Sequence, residues 1–130
     1  MYRRKEMPQI FEMKLRSDPF RRICSGEKTI EYRLQDEKRS LLNKGDYIRF
    51  TEIATEGTER TVLVEIVDII TAESFVGLEY KLTELGFLAN ESFAPAGMRK
   101  YYSEDDEAKY GVMGIKIKVV RVDDQSKINA

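Results

Sequence analysis

The sequence predicts an α+β fold, a small mixed β-barrel of about five strands with peripheral helices. Three observations lead there. Five segments place apolar and polar residues at the strand period of two or run nearly continuous in β-branched residues. Shorter segments between them carry helical spacing and caps. Most of the strands are joined by connections short enough to be turns. At 130 residues the length fits a single domain, 1–130, with a core over about 9–120 and loose termini.

The first strand is IFEMKLR, residues 10–16, with Phe11, Met13 and Leu15 on one face and Glu12, Lys14 and Arg16 on the other. Ser17 reads as a helix N-cap, with Asp18 and Pro19 favourable in the first turn. Phe20, Ile23 and Cys24 follow at helical spacing, and Gly26 supplies a left-handed stop. Cys24 on that apolar face reads as a small buried hydrophobe. A strand over 28–34 comes next, then the charged connection QDEKRSLLN and a turn at Lys44-Gly45-Asp46 into a strand over 46–52. RTVLVEIVDIIT, residues 60–71, is the strongest β segment; such a run implies burial on both faces over part of its length, as in a closed or strongly curled sheet. Phe75, Leu78, Leu82 and Leu85 then define an amphipathic helix over about 73–85, ended by Gly86. PAGMRKYY, residues 95–102, forms a short helix begun by Pro95, and Ser103 caps a further turn whose EDDE acids sit at the positive helix end. GVMGIKIKVVRV, residues 111–122, is the closing strand, and DDQSKINA a loose tail.

Composition excludes several chemistries. Histidine is absent and cysteine occurs once, so Ser-His-Asp catalysis, Cys-His catalysis and a thiolate–imidazole zinc site cannot be assembled. No metal site and no cofactor is expected. A lone cysteine and the lack of an apolar secretory segment fit a reducing, cytoplasmic location. No apolar run approaches membrane-spanning length, so no membrane partner is expected. Charge is uneven: residues 1–49 carry a net +5 and residues 50–130 a net −6. Either the basic part faces an anionic ligand, or the two parts pair across the fold.

The segment GEKTIEYRL, residues 26–34, sets Ile30, Tyr32 and Leu34 against Thr29, Glu31 and Arg33. Successive same-face side chains in a strand lie roughly 7 Å apart, so a planar polar ligand can bridge neighbours. Glu31 offers two acceptors and Arg33 a rigid fork of donors. Lys28 falls in the other parity unless a bulge turns it, and Lys28 with Glu31 is a minimal acid/base couple. The same pattern also describes a cross-strand ladder of salt bridges on an exposed face. GEKT lacks the upstream glycine of a phosphate-binding loop, and EDDE lacks the glycine and terminal glutamate of a calcium loop.

The run EMKLRSDPFRRICSGEKTIEYRL resembles the opening of an ASCH domain, of the PUA-like superfamily. Its hallmark G-x-K-x-x-E-x-R is met by Gly26, Lys28, Glu31 and Arg33, and the resemblance continues through KGDYIRF to MRKYYSEDDEAKYGVMGIKI. It implies a PUA-like β-barrel whose cleft, lined by Lys28, Thr29, Glu31 and Arg33 and bordered by Tyr102 and Ser103, holds RNA or a nucleotide-like ligand. Similar small ASCH proteins act as amidohydrolases on N4-acylated cytidine, using the hallmark lysine and a threonine three residues later; that position is Glu31 here. The resemblance thus leaves two expectations, an RNA- or nucleoside-binding module and a small hydrolase with Lys28 and Glu31 as its acid/base pair. An overall pI near 5.7 argues against tight, sequence-independent binding to long RNA.

Overall fold

A computed structural model describes residues 7–53 and 59–124. The first six residues and the tail beyond 124 lie outside the described residues, so the expected loose termini are not addressed by it. Strands β1 (Ile10–Arg16), β2 (Ile30–Leu34), β3 (Tyr47–Ile53), β4 (Arg60–Ala72) and β5 (Val112–Asp124) form one mixed sheet in the order β1-β3-β4-β5-β2. The β1–β3 pair is parallel and the other three pairs are antiparallel. Helices α1 (Ser17–Ser25), α2 (Phe75–Glu84) and α3 (Glu104–Tyr110) pack around the sheet, with 3₁₀ turns at Arg39–Leu41 and Pro95–Lys100. This is the expected α+β class, with one difference: the sheet does not close. β1 and β2 are its two edges, and no backbone ladder joins them. A side chain spans the gap instead, as the Arg33 guanidinium donates to the Lys14 carbonyl at 3.3 Å.

Two hydrophobic clusters flank the sheet. Met13, Leu15, Phe20, Ile48, Phe50, Val62 and Ile115 belong to the first, which α1 covers; Ile30, Tyr32, Leu34, Phe75, Leu78 and Leu82 build the second under α2. Burying one such aliphatic or aromatic side chain contributes about 1.5–3 kcal/mol. The thirteen-residue β4 serves both clusters. Its register against β5 shifts between Leu63 and Val64 and again between Ile66 and Asp68. Val62, Val64 and Ile66 face the first cluster before the second shift. After it Ile69 holds that face, while Ile70 and Ala72 turn to the second. A one-residue shift exchanges faces because side chains alternate with period two. Gly114 completes the helix–sheet contact: a Cβ there would meet Ile30 Cγ2 at 3.3 Å and both Leu78 methyls at 3.6 Å, so its absence lets α2 lie close on β5.

Local signals behave mostly as expected, with two shifts at helix starts. Ser17 is not the N-cap of α1. Strand β1 runs straight into the helix, so Arg16, still extended, occupies the cap and offers no side-chain bond. Gly26 does end α1, at φ 84°, with its N–H on the Ile23 carbonyl. Helix α2 begins at Phe75 because Ser74 caps it, its hydroxyl accepting from the Gly77 N–H. Ser103 and Asp106 form a reciprocal capping box at the start of α3.

Candidate functional site

A cleft of about 350 Å³ occupies the open seam between the edge strands. Its walls come from the end of β1, the start of α1, strand β2, Ile53 and the segment around Met98, Tyr101 and Tyr102.

The turn after α1 delivers Lys28. Gly26 wraps the chain back so that the Lys28 N–H bonds the Arg22 carbonyl at 3.0 Å, and Lys28 precedes the strand rather than joining it. Its parity conflict with Glu31 is thereby removed. The Lys28 ammonium donates to the Ile30 carbonyl at 2.6 Å, lies 3.3 Å from Glu31 Oε1 and sits 4.8 Å from the centre of the Tyr32 ring. Arg33 Nε donates to Glu31 Oε2 at 2.8 Å. One carboxylate, only 5% exposed, is thus held between two cations.

The register explains why these ions are buried. Glu31 lies opposite Ile115 and Arg33 opposite Met113, so both point to the face of the first cluster at the sheet's unclosed edge. Ile30, Tyr32 and Leu34 are covered by α2 on the other face, and because the polar face is largely buried as well the strand is not half-exposed as its alternation implied. The exposed-ladder reading of the polar face fails because Glu31 is itself buried and Arg33 mostly so.

Tyr32 and Tyr102 bring aromatic surface to the cleft. Tyr32 stacks on Phe93 with ring centres 3.9 Å apart, and its buried hydroxyl has no hydrogen-bond partner among the described residues. Burial, with the Glu91 and Glu31 charges, drives its phenol well above the ordinary value, Arg22 opposing. Burial also raises Tyr102, against the charges of Arg33 and Arg39. Both phenols are protonated at neutral pH.

Of the six residues singled out from sequence, Lys28, Glu31, Arg33 and Tyr102 line the cleft and Thr29 and Ser103 do not. Thr29 precedes the strand, so same-face spacing does not apply to it. Its hydroxyl donates to Glu91 Oε1 at 2.6 Å and accepts from the Lys116 ammonium at 3.0 Å, and its N–H donates to the same Glu91 oxygen at 2.8 Å. Ser103 is committed to capping α3, 3.1 Å from the Asp106 N–H. Sequence reading missed Lys14, Arg16, Arg22 and Tyr101 as cleft residues. The positive balance of residues 1–49 was the collective signal of the three cations, and Tyr101 had none. Glu91, which pins the mouth of β2 from 62 residues away, had none. Among the described residues no group of three His, Cys, Asp or Glu side chains is placed to hold a metal. No helix among them is long and apolar enough to cross a membrane. Cys24, partly buried beside the first cluster, has its thiol pushed up by burial.

The family model for the ASCH domain matches residues 13–121. The chain belongs to the ASCH domain family. Its unclosed sheet is therefore this family's PUA-like fold, and Lys28, Glu31 and Arg33 are the three ions at the cleft floor. The crystal structure of hypothetical protein PH0355 is similar at 30% identity and a TM-score of 0.65, over 85% of this chain and 99% of that one. The solution structure of protein PF0455 from Pyrococcus furiosus has 28% identity and a TM-score of 0.60, over 86% and 98%. A mutant of ZmASCH from Zymomonas mobilis shares the fold at 13% identity and a TM-score of 0.58, over 92% of this chain and 78% of that one. No curated protein matches the chain significantly.

Two outcomes are expected from this geometry. Glu31→Ala leaves Lys28 and Arg33 facing each other and destabilises the fold by about 3 kcal/mol, the lower end for breaking a buried ion pair. The exposed Glu27→Ala changes stability by less than about 0.5 kcal/mol; urea denaturation of both variants checks this. The second concerns alkaline pH. A phenol whose folded-state pKa is raised holds its proton when the unfolded chain has lost it, so this contribution is constant below the unfolded value of 10.0 and is lost as pH rises past it. Denaturation from pH 7 to 11 should show that decline, and Tyr32→Phe should reduce it.

Proposed function

We propose that this ASCH domain binds RNA or a nucleotide-like ligand in the seam between β1 and β2. The observation that carries the reading is the Lys28–Glu31–Arg33 cluster, buried at the floor of a cleft rather than laid along an open sheet. A volume of about 350 Å³ falls within the usual range for small-molecule sites. The cluster supplies what a planar, polar ring needs. The guanidinium is a rigid fork of five donors, of which Nε is taken by Glu31 and one on Nη2 by the Lys14 carbonyl, and the carboxylate can accept from an amino group. Tyr102 offers an aromatic wall for stacking, the contact by which unpaired bases are commonly held. One short segment or one base suits these dimensions better than a long duplex.

Titration with short RNAs and nucleosides, followed by amide chemical shifts, tests the reading. Shifts should concentrate at residues 28–33 and 101–102, and Arg33→Ala should weaken binding about tenfold, as loss of a charge-assisted hydrogen bond does. Shifts confined to the far face of the sheet would count against it.

The 3.3 Å contact of Lys28 with Glu31 supports a second reading, an amidohydrolase acting on N4-acylated cytidine with these two as acid and base. Binding is the better-supported of the two. The Lys28 ammonium is already engaged by the Ile30 carbonyl, Glu31 is also held by Arg33, and the motif's one aliphatic hydroxyl, Thr29, is turned to Glu91. Incubation with N4-acetylcytidine should therefore release no more cytidine than the Lys28→Ala protein does. Release well above that control would establish the hydrolase.

A further inference from the structure

The cleft carries more positive charge than its floor can neutralise. Lys14, Arg16, Arg22, Lys28 and Arg33 line it, against Asp18 and Glu31. Lys28 and Arg33 are both committed to Glu31, and Asp18 is committed to Arg21 at 3.0 Å. Glu52, close to the start of α1, is taken by two bonds from Arg60 at 2.8 and 2.7 Å. The wall formed by β1 and the start of α1 is left with a surplus of cations. Arg16 rests over the Tyr101 ring at 5.5 Å, and Arg22 is 3.9 Å from its carboxylate neighbour, Glu27, beyond hydrogen-bond distance. Lys14 has no ion-pair partner among the described residues.

Lys14 and Arg16 stand two residues apart on one face of an edge strand, roughly 7 Å from each other, a span that one tetrahedral anion can bridge. Cations gathered without counterions repel one another, and an anion held between them relieves that repulsion while gaining charge-assisted hydrogen bonds. The guanidinium of Arg16, already resting over Tyr101, is pre-ordered for such a contact.

The geometry points to a phosphate-bearing ligand, with the phosphate between Lys14 and Arg16, Arg22 nearby, and the planar group against Tyr102 and the Glu31–Arg33 pair. This assignment rests on the cleft's being a nucleotide site and goes further by selecting nucleotides over nucleosides. A free nucleotide and one phosphodiester of an RNA strand would supply the same chemistry.

The full chain is titrated with each nucleoside, its 5′-monophosphate and a dinucleotide carrying one phosphodiester, at low and at moderate salt, with amide shifts and calorimetry as readouts. Phosphate-bearing probes should bind about tenfold or more tightly than the nucleosides, an advantage that shrinks with salt. The advantage should disappear in the Lys14→Gln, Arg16→Gln double variant, whose substituted side chains lie on the exposed face of β1. A dinucleotide gaining more than the monophosphate assigns the phosphate to an RNA strand, and the reverse assigns it to a free nucleotide; either result supports the inference. Nucleoside and monophosphate binding equally at residues 28–33 overturns the phosphate assignment while the cleft remains a nucleoside site. No shift at residues 28–33 with any probe overturns both.

Discussion

Everything distinctive about this molecule depends on a carboxylate that cannot be left alone. Glu31 sits on the inner side of an edge strand, opposite Ile115 and nearly shut off from water. An ionised carboxylate there costs several kcal/mol unless it is paired and hydrogen-bonded. Lys28 supplies one partner and Arg33 the other. Those three side chains occupy the margin where the sheet would otherwise pair β2 with β1. The seam stays open, the cleft is the space it leaves, and among the described residues the bond that joins β2 to β1 across it runs from the Arg33 guanidinium to the Lys14 carbonyl. The charge that defines the site and the gap that admits a ligand are two consequences of one arrangement.

Other carboxylates act as staples around the same region. Glu91 accepts from the Thr29 hydroxyl and from the N–H groups of Thr29 and Ile30, and so fixes the start of β2. Glu107, buried on α3, accepts from the Phe75 N–H at the first turn of α2 and pairs with Arg99 at 2.6 Å. That second contact tethers the segment bearing Met98, Tyr101 and Tyr102, one wall of the cleft. Asp46 accepts from the N–H groups of Gln9 and Asn43, and so ties the entry of β3 to the start of β1. Each gathers donors from parts of the chain that are not adjacent in sequence. A charged share of 35% is therefore more than solvation in this protein.

The residues show how far local pattern carries. The five strands were legible because a strand needs only alternation and β-branched residues, and each of the five is present within a few residues of its expected span. The capping box at Ser103 and the left-handed stop at Gly26 were legible because caps are local chemistry. Ser17 misled, since a capping residue type does not reveal that the strand before it will run on without a turn. Thr29 misled for a related reason: the strand starts one residue later, and parity has no meaning outside it. Glu91 and Lys116, which hold Thr29, lie 62 and 87 residues away and left no mark on the motif.

The sequence by itself determined the α+β class, the strands, the chemistries ruled out by the absence of histidine, and which ions the GEKTIEYRL segment carries. Those properties depend on residue type and short spacing, which the chain carries wherever it folds. Only the tertiary structure decided that the sheet stays open and that Glu31 is buried while the Thr29 hydroxyl is not offered to the cleft. It also decided that Lys14, Arg16 and Arg22 share a wall with Lys28 and Arg33. These follow from which strands become neighbours, and strand order is set by packing two hydrophobic clusters on opposite faces of one sheet. A motif can name a charged strand, but its surroundings determine whether that strand becomes a surface ladder or the floor of a site.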